Sequence, residues 1–159
     1  MIRVAILTIS DSAAARRRED LSGPAIQAHC EKMNWPVVAT AVVADDLSAI
    51  AEQLRTWADR SAASLILTTG GTGVSPRDVT PEAMRGVIER EIPGLAELMR
   101  AKGLEQTKFA PLSRAVVGTR KTTLIVNLPG SPKGAVHSLE TIADLVPHVI
   151  DLLEGRTAH

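Results

Sequence analysis

The stretch LILTTGGTG, residues 65–73, predicts a buried strand that ends in a glycine-rich loop. A run of apolar and β-branched residues without polar alternation is typical of a strand covered on both faces. Comparable runs occur at residues 2–9, 37–43 and 122–128, and a shorter one occurs at residues 114–117. The sequence therefore predicts five strands, with a hairpin turn at residues 118–121 joining the last two.

Amphipathic stretches between these strands predict helices. Three of them are expected to follow residues that cap a helix N-terminus well, namely Ser22, Asp46 and Thr80. A shorter helix is predicted after the break at Pro93-Gly94. Pro147 is predicted to bend or divide the last helical region, because proline cannot donate a helical backbone hydrogen bond.

The alternation of strands and helices predicts an α/β fold with a largely parallel sheet covered by helices on both faces. The hairpin adds one antiparallel strand. No internal repeat or long linker divides the sequence, so a single domain over residues 1–159 is expected. Ligands of such sheets bind beyond the carboxyl ends of the strands.

Composition argues against several classes of protein. Eighteen basic and eighteen acidic residues give a net charge of zero, which does not suggest binding to nucleic acid or to a membrane surface. No apolar run approaches the ~20 residues of a membrane span, so a cytoplasmic protein is expected. Cys30 is the only cysteine, and the four histidines show no metal-ligand spacing: His29, His137, His148 and His159.

Polar loops follow the first, third and fifth predicted strands. Ser10-Asp11-Ser12 suits either a ligand hydroxyl or an Asx-turn. The loop at residues 70–73 suits either a tight turn or a phosphate cradle, because glycine lets backbone N–H groups approach an anion. Residues 127–132 form a rigid polar turn at a strand end. Leu112-Ser113-Arg114, by itself, is typical of an ordinary strand edge.

Two carboxylates stand near these loops in the sequence. Asp78 follows the glycine loop, and Asp45 follows the second strand, where Asp46 suits a helix cap better. A carboxylate beside a phosphate is unfavourable unless a cation lies between them, and Mg²⁺ bound by one or two carboxylates resolves that conflict. The alternative for Asp78 is a turn or capping role. The basic run at residues 16–18 is expected near the same anion site.

Six short motifs occur in a fixed order, and together they are far more specific than any one alone. They are Ser10-Asp11-Ser12, Asp20-x-Ser22-Gly23, residues 68–73, residues 77–83, Leu112-Ser113-Arg114 and residues 128–132. The set closely resembles the MogA/MoaB family of molybdenum-cofactor proteins, which includes the gephyrin G domain. The resemblance extends from Ile2 to about Gly155.

The resemblance implies an α/β/α sandwich that forms homotrimers. It also implies an Mg²⁺-dependent reaction of ATP with molybdopterin that gives adenylyl-molybdopterin and pyrophosphate, with product passed to a MoeA-type insertase. By motif, Asp78 and Asp45 correspond to the family's functional aspartates and would hold the metal. Ser113 corresponds to a serine at the adenylylated-product site. The implied catalytic residues are therefore Asp78, Asp45 and Ser113.

The same resemblance implies a set of substrate-binding residues in the three polar loops. They are Ser10, Asp11, Ser12, Thr69, Gly70, Gly71, Thr72, Gly73, Asn127, Pro129, Gly130, Ser131 and Pro132. Ala44 stands where the family usually has proline, which leaves the choice between Asp45 and Asp46 open. The alternatives to an adenylyltransferase are a MoaB-like molybdopterin-binding protein with little catalysis and a trimeric scaffold. Both carboxylates and all residues of the glycine loop are present, which favours the enzyme.

Overall fold

Six β-strands and seven α-helices form within residues 1–156, the part of the chain that the computed structural model describes. The strands are β1 (Val4–Ile9), β2 (Val37–Val43), β3 (Leu65–Thr69), β4 (Arg90–Glu91), β5 (Val117–Arg120) and β6 (Thr123–Leu128). The helices are α1 (Asp11–Ala14), α2 (Ser22–Lys32), α3 (Leu47–Asp59), α4 (Thr80–Arg85), α5 (Pro93–Gly103), α6 (Pro132–Ile142) and α7 (Val146–Leu153). His159 lies outside the described residues.

The strands form one sheet in the order β2-β1-β3-β6-β5-β4. Strand β1 pairs in parallel with β2 and β3, and β3 pairs in parallel with β6. Strand β5 runs antiparallel to both of its neighbours. The predicted mostly parallel sheet with one reversed strand is therefore confirmed. Strand β4 was not predicted, because its two exposed residues carry no strand pattern.

Two apolar cores lie on opposite faces of the sheet. On one face, α2, α5, α6 and α7 pack residues such as Ile26, Met99 and Leu139 against the strands. On the other face, α3 and α4 pack residues such as Leu54 and Met84. The predicted α/β/α sandwich is confirmed. Among the described residues, no helix has the length and apolar character needed to cross a membrane.

The predicted hairpin is displaced along the chain. Gly118, assigned to the turn, lies inside β5, and the turn falls on Lys121 and Thr122. Gly118 is needed in the strand because a Cβ atom there would lie 2.7 Å from the carbonyl oxygen of Arg90 in β4. Lys121 adopts the left-handed conformation of the turn, with φ of 51°. The prediction was wrong because it took a glycine required by strand packing for a turn glycine.

Two of the three predicted helix caps are wrong. Ser22 lies inside α2, and the N–H of Gly23 donates instead to Oδ1 of Asp20 (3.0 Å). Thr80 begins α4 without capping it, because its hydroxyl donates to the carbonyl of Gly70 (3.0 Å). Asp46 caps α3 as predicted, accepting from the N–H of Ala49 (2.8 Å).

A proline lies in the first turn of each of the last three helices. Pro93 opens α5, which has 11 residues and is longer than the six-residue α4, contrary to the predicted shorter helix. Pro132 opens α6, and Pro147 lies in the first turn of α7. The predicted division of the last helical region is confirmed. Proline is tolerated in a first helical turn because the N–H it lacks would have no partner there.

Gly70 brings three strand ends into contact. Its N–H donates to the carbonyl of Leu128 at the end of β6 (3.2 Å). Its φ is +102°, and a Cβ atom would lie 2.2 Å from the carbonyl oxygen of Ile9 at the end of β1. A side chain at this position would push the loops after β1, β3 and β6 apart.

We predict that Gly70→Ala lowers the free energy of unfolding by at least about 2 kcal/mol, because it combines backbone strain with a collision against backbone. Gly94→Ala is the matched control, since nothing lies within 4 Å of a Cβ atom at Gly94 in α5. It should leave the unfolding free energy unchanged or raise it by about 0.5 kcal/mol. Equilibrium denaturant unfolding measures both, and equal values for the two variants would contradict the role given to Gly70.

Candidate functional site

Two cavities open at the carboxyl edge of the parallel strands. The carboxylate cavity, of about 480 Å³, is bounded by the ends of β1 and β3, the start of α2 and the start of α6, and includes Asp45 and Asp78. The serine cavity, of about 180 Å³, lies beside α5 and includes Ser113. Ser131 lines both cavities, so the two are neighbours.

The two predicted metal-binding carboxylates lie against the glycine loop. A Cβ atom at Gly73 would lie 2.8 Å from Oδ2 of Asp78, and one at Gly71 would lie 3.1 Å from Oδ1 of Asp45. Gly71 also has φ of +67°. The loop therefore needs glycine at these positions partly to admit the carboxylates.

Asp45 is held by reciprocal hydrogen bonds with Asp11. The N–H of Asp11 donates to Oδ2 of Asp45 (3.0 Å), and the N–H of Asp45 donates to Oδ1 of Asp11 (2.9 Å). Arg77 donates through Nη2 to Oδ2 of Asp11 (2.8 Å) and to the carbonyl of Asp45 (3.3 Å). These contacts join the loops after β1 and β2 to the segment before α4, while Asp46 caps α3.

The charge around Asp45 is incompletely balanced. Burial raises the pKa of the Asp45 carboxyl, and the charges of Asp11 and Asp78 raise it further, although the hydrogen bond from the Asp11 amide lowers it. By contrast, the hydrogen bonds from Arg77 hold the pKa of Asp11 below its usual value. A cation beside Asp45 and Asp78 would offset this repulsion.

Carboxylate oxygens are ligands that suit Mg²⁺. Within residues 1–156, no group of three or more His, Cys, Asp and Glu side chains is placed to hold a metal ion. A cation at Asp45 and Asp78 would thus need further oxygen ligands from water or from a bound phosphate. This is the usual arrangement of Mg²⁺ at phosphate-binding sites.

The serine cavity is more apolar and includes Ala96, Met99 and Pro129. Oγ of Ser113 accepts from the N–H of Ala115 (3.3 Å), which leaves the hydroxyl hydrogen available. Asn127 also lines this cavity, but its amide is engaged in the fold.

The side-chain amide of Asn127 joins β6 to β3 and to the segment before β5, so it is not free to bind a ligand in the cavity. Its Oδ1 accepts from the N–H of Val116 (3.1 Å), and its Nδ2 donates to Oγ1 of Thr68 (2.9 Å). The Thr69 hydroxyl likewise donates to the carbonyl of Pro129 (2.7 Å). Asn127 and Thr69, which were predicted to bind substrate, therefore use their side chains to hold the strands and loops of the site together.

The structure brings together many of the sequence-predicted binding residues, but not all of them. The carboxylate cavity includes Ser10, Thr69, Gly70, Gly71, Gly130, Ser131 and Pro132. The serine cavity includes Ser113, Asn127, Pro129 and Ser131. Four predicted residues line neither cavity: Asp11, Ser12, Thr72 and Gly73. Asp11 instead contacts Arg77, and Thr72 and Gly73 contact Arg114. The Ser12 hydroxyl lies 3.2 Å from that of Ser10.

Asp20 and Thr8 are among the cavity residues that were not singled out in the sequence as binding residues. Asp20 accepts from the hydroxyl of Thr8 (2.7 Å) and from the N–H of Gly23, and Asp20 and Thr8 both line the carboxylate cavity. The Asp20-x-Ser22-Gly23 motif was the available signal. Arg18, from the predicted basic run, also lines this cavity, so one of the three arginines reaches the expected place.

A family model, a sequence relative and a solved structure all relate this chain to molybdopterin proteins. The family model of probable molybdopterin binding domains matches residues 5–148. A molybdopterin adenylyltransferase of Helicobacter pylori J99 is 39% identical, over 97% of this chain and 89% of the relative. The crystal structure of the molybdopterin biosynthesis enzyme MoaB from Thermus thermophilus is 50% identical, with a TM-score of 0.92 over 98% of both chains.

A longer relative contains the same domain. The molybdenum cofactor synthesis protein cinnamon of Drosophila melanogaster is 42% identical over 154 residues, which are 96% of this chain but 26% of that protein. The chain thus spans about a quarter of that relative and most of the bacterial ones. The near full-length identity and the shared α/β/α fold establish that this chain is a member of the MogA/MoaB family of molybdopterin-binding domains.

Proposed function

We propose that the chain is a molybdopterin adenylyltransferase, which transfers AMP from ATP to the terminal phosphate of molybdopterin in molybdenum-cofactor synthesis. The observation that carries the proposal is the placement of the Asp45 and Asp78 carboxylates beside a glycine loop, in one cavity at the ligand-binding edge of the sheet. The bacterial relatives named as adenylyltransferases, 35–39% identical over most of their length, support it.

The reaction is the attack of a molybdopterin phosphate oxygen on the α-phosphorus of ATP. A phosphorus–oxygen bond forms, the bond from the α-phosphorus to the bridging oxygen breaks, and pyrophosphate leaves. The attacking phosphate is already ionised near neutral pH, so no protein base is required. The protein accelerates such a transfer chiefly by aligning the reactants and by offsetting charge.

Asp45 and Asp78 would hold Mg²⁺, and the raised pKa of Asp45 fits a carboxylate that needs a cation beside it. When bound, Mg²⁺ offsets the charge of the phosphates. The starts of α2 and α6 both face the carboxylate cavity, and helix N-termini suit phosphate groups. Ser113 would contact the adenylylated product from the serine cavity, as the family resemblance implies.

The main alternative is a molybdopterin-binding protein of the MoaB type with little catalysis. The 50% identity to a structure named MoaB is the observation that favours it. A non-catalytic trimeric scaffold is a third possibility, for which the two cavity carboxylates have no use. Turnover separates the enzyme from both alternatives.

We further propose that the chain acts as one domain over residues 1–159, in the cytoplasm, without nucleic-acid or membrane partners. Its product would pass to a MoeA-type insertase. These proposals rest on the family resemblance and on the composition of the sequence. Co-purification with the insertase during turnover would test the transfer.

Asp78→Asn tests the catalytic proposal. Asn keeps the shape of Asp and can still accept from the N–H of Ser75, which donates to Oδ2 of Asp78 (3.0 Å), so the fold should be preserved. We expect turnover to fall by a factor of about a hundred or more, because charge on the departing pyrophosphate is no longer offset. Melting temperature, molybdopterin affinity and the rate of adenylylation are measured together.

Asp46→Asn is the matched control, since Asn also caps helices well and Asp46 lines neither cavity. It should keep wild-type turnover and melting temperature. An Asp78→Asn protein with near-normal turnover, or one that is simply unfolded, would show that Asp78 is a structural residue and would refute the mechanism.

We also predict a homotrimer in solution, on the resemblance alone. Light scattering should give about three times the chain mass of 16.9 kDa. A particle of 16.9 kDa at micromolar concentration would contradict the prediction.

A further inference from the structure

Arg114 is bound to the segment that carries Asp78 through every nitrogen of its guanidinium. Nε donates to the carbonyl of Gly73 (2.7 Å), and Nη2 donates to the carbonyl of Asp78 (2.8 Å). Nη1 contacts Oε1 of Glu82 (2.5 Å). The backbone N–H of Arg114 also donates, to the carbonyl of Thr72 (2.8 Å). One residue thus holds both ends of the loop between Thr72 and Asp78.

These contacts distinguish Arg114 from an arginine that binds substrate phosphate. Its charge is paired with Glu82, and the same contact holds the pKa of Glu82 below its usual value. Arg114 lines neither cavity. A planar guanidinium donates in several fixed directions at once, which a lysine ammonium does not reproduce.

The residue before Arg114 lies in the other cavity. Ser113 lines the serine cavity, and the carbonyls of Ser113 and Ala115 both accept from Nη1 of Arg100 in α5 (3.3 and 3.0 Å). Arg100 therefore fixes this segment from the α5 side while Arg114 fixes it to the Asp78 loop. Ser113 and Arg114, which are adjacent in the chain, thus connect the serine cavity to the loop that carries Asp78.

We propose that Arg114 is a positioning residue that fixes the Asp78 loop relative to Ser113, so that groups bound in the two cavities are aligned for transfer. The proposal rests on the proposed function and deepens it. Arg114 acts through the backbone of Gly73 and Asp78 and does not contact substrate. Misplacement of a catalytic group by about 1 Å can cost about 100-fold in rate.

Arg114→Lys is the test variant, because it keeps the positive charge and loses the forked donors. Arg120→Lys is the matched control: Arg120 also binds a carboxylate and a backbone carbonyl, those of Asp59 and Val87, but lies in the β5-β6 hairpin away from both cavities. Glu82→Gln removes only the half-exposed ion pair, and such pairs contribute little. Arg114→Gln is a second test variant.

For both Arg114 variants, we expect kcat to fall by up to about 100-fold while KM for ATP and molybdopterin stays near the wild-type value. Hydrogen exchange should become faster at the amides of Ser75, Asp78 and Thr80, and stay unchanged in β1 and β3. Arg120→Lys and Glu82→Gln should keep wild-type kcat and loop exchange, whatever their melting temperatures.

Three results would overturn the proposal. Unchanged loop exchange in Arg114→Lys would show that the guanidinium does not fix the loop. An increase in KM with kcat unchanged would assign Arg114 to direct substrate contact. Equal loss of kcat in Arg120→Lys would indicate a general loss of stability. A wild-type protein without turnover would refute the proposed function, and the exchange measurement alone would then decide the role of Arg114.

Discussion

The ends of β1, β3 and β6 meet at Gly70, where backbone contacts backbone without an intervening side chain. A Cβ atom at Gly70 would overlap the carbonyl of Ile9, and a Cβ atom added at Gly130 would lie 3.4 Å from the Cα of Gly70. Because the strand ends lie this close, the loops that follow them form one continuous surface along the carboxylate cavity. The position of both cavities depends on that contact.

Two ion pairs between residues that are distant in the sequence neutralise part of the charge around these loops. Arg77 binds Asp11 and Arg114 binds Glu82, so two acidic side chains near the glycine loop have basic partners. Asp45 and Asp78 are left on the carboxylate cavity beside Gly71 and Gly73. The arrangement concentrates negative charge where a cation and phosphates would bind, and its ion pairs connect the neighbouring loops.

Local patterns were sufficient to predict much of the fold. The bounds of β2 and β3 and the start of α3 match the prediction, since apolar periodicity and the Asp46 cap are local signals. Strand β4 and the role of Gly118 depend on contacts with distant segments and were missed. The role of Thr80 was also missed, because it depends on a contact with Gly70 across the loop. Asp45 and Asp78 both line the carboxylate cavity, because each follows a parallel strand that ends at this edge of the sheet, and their metal binding stays a prediction. Arg114 was missed as a contact of the loop because its partners lie 32 to 41 residues away in the chain.

We propose that this cavity carries out adenylyl transfer rather than binding alone. The most direct measurement incubates the purified protein with molybdopterin, ATP and Mg²⁺ and quantifies adenylyl-molybdopterin and pyrophosphate over time. We expect both products to form in equal amounts over many turnovers, and omission of Mg²⁺ to stop the reaction. Tight binding of molybdopterin without formation of adenylyl-molybdopterin would contradict it.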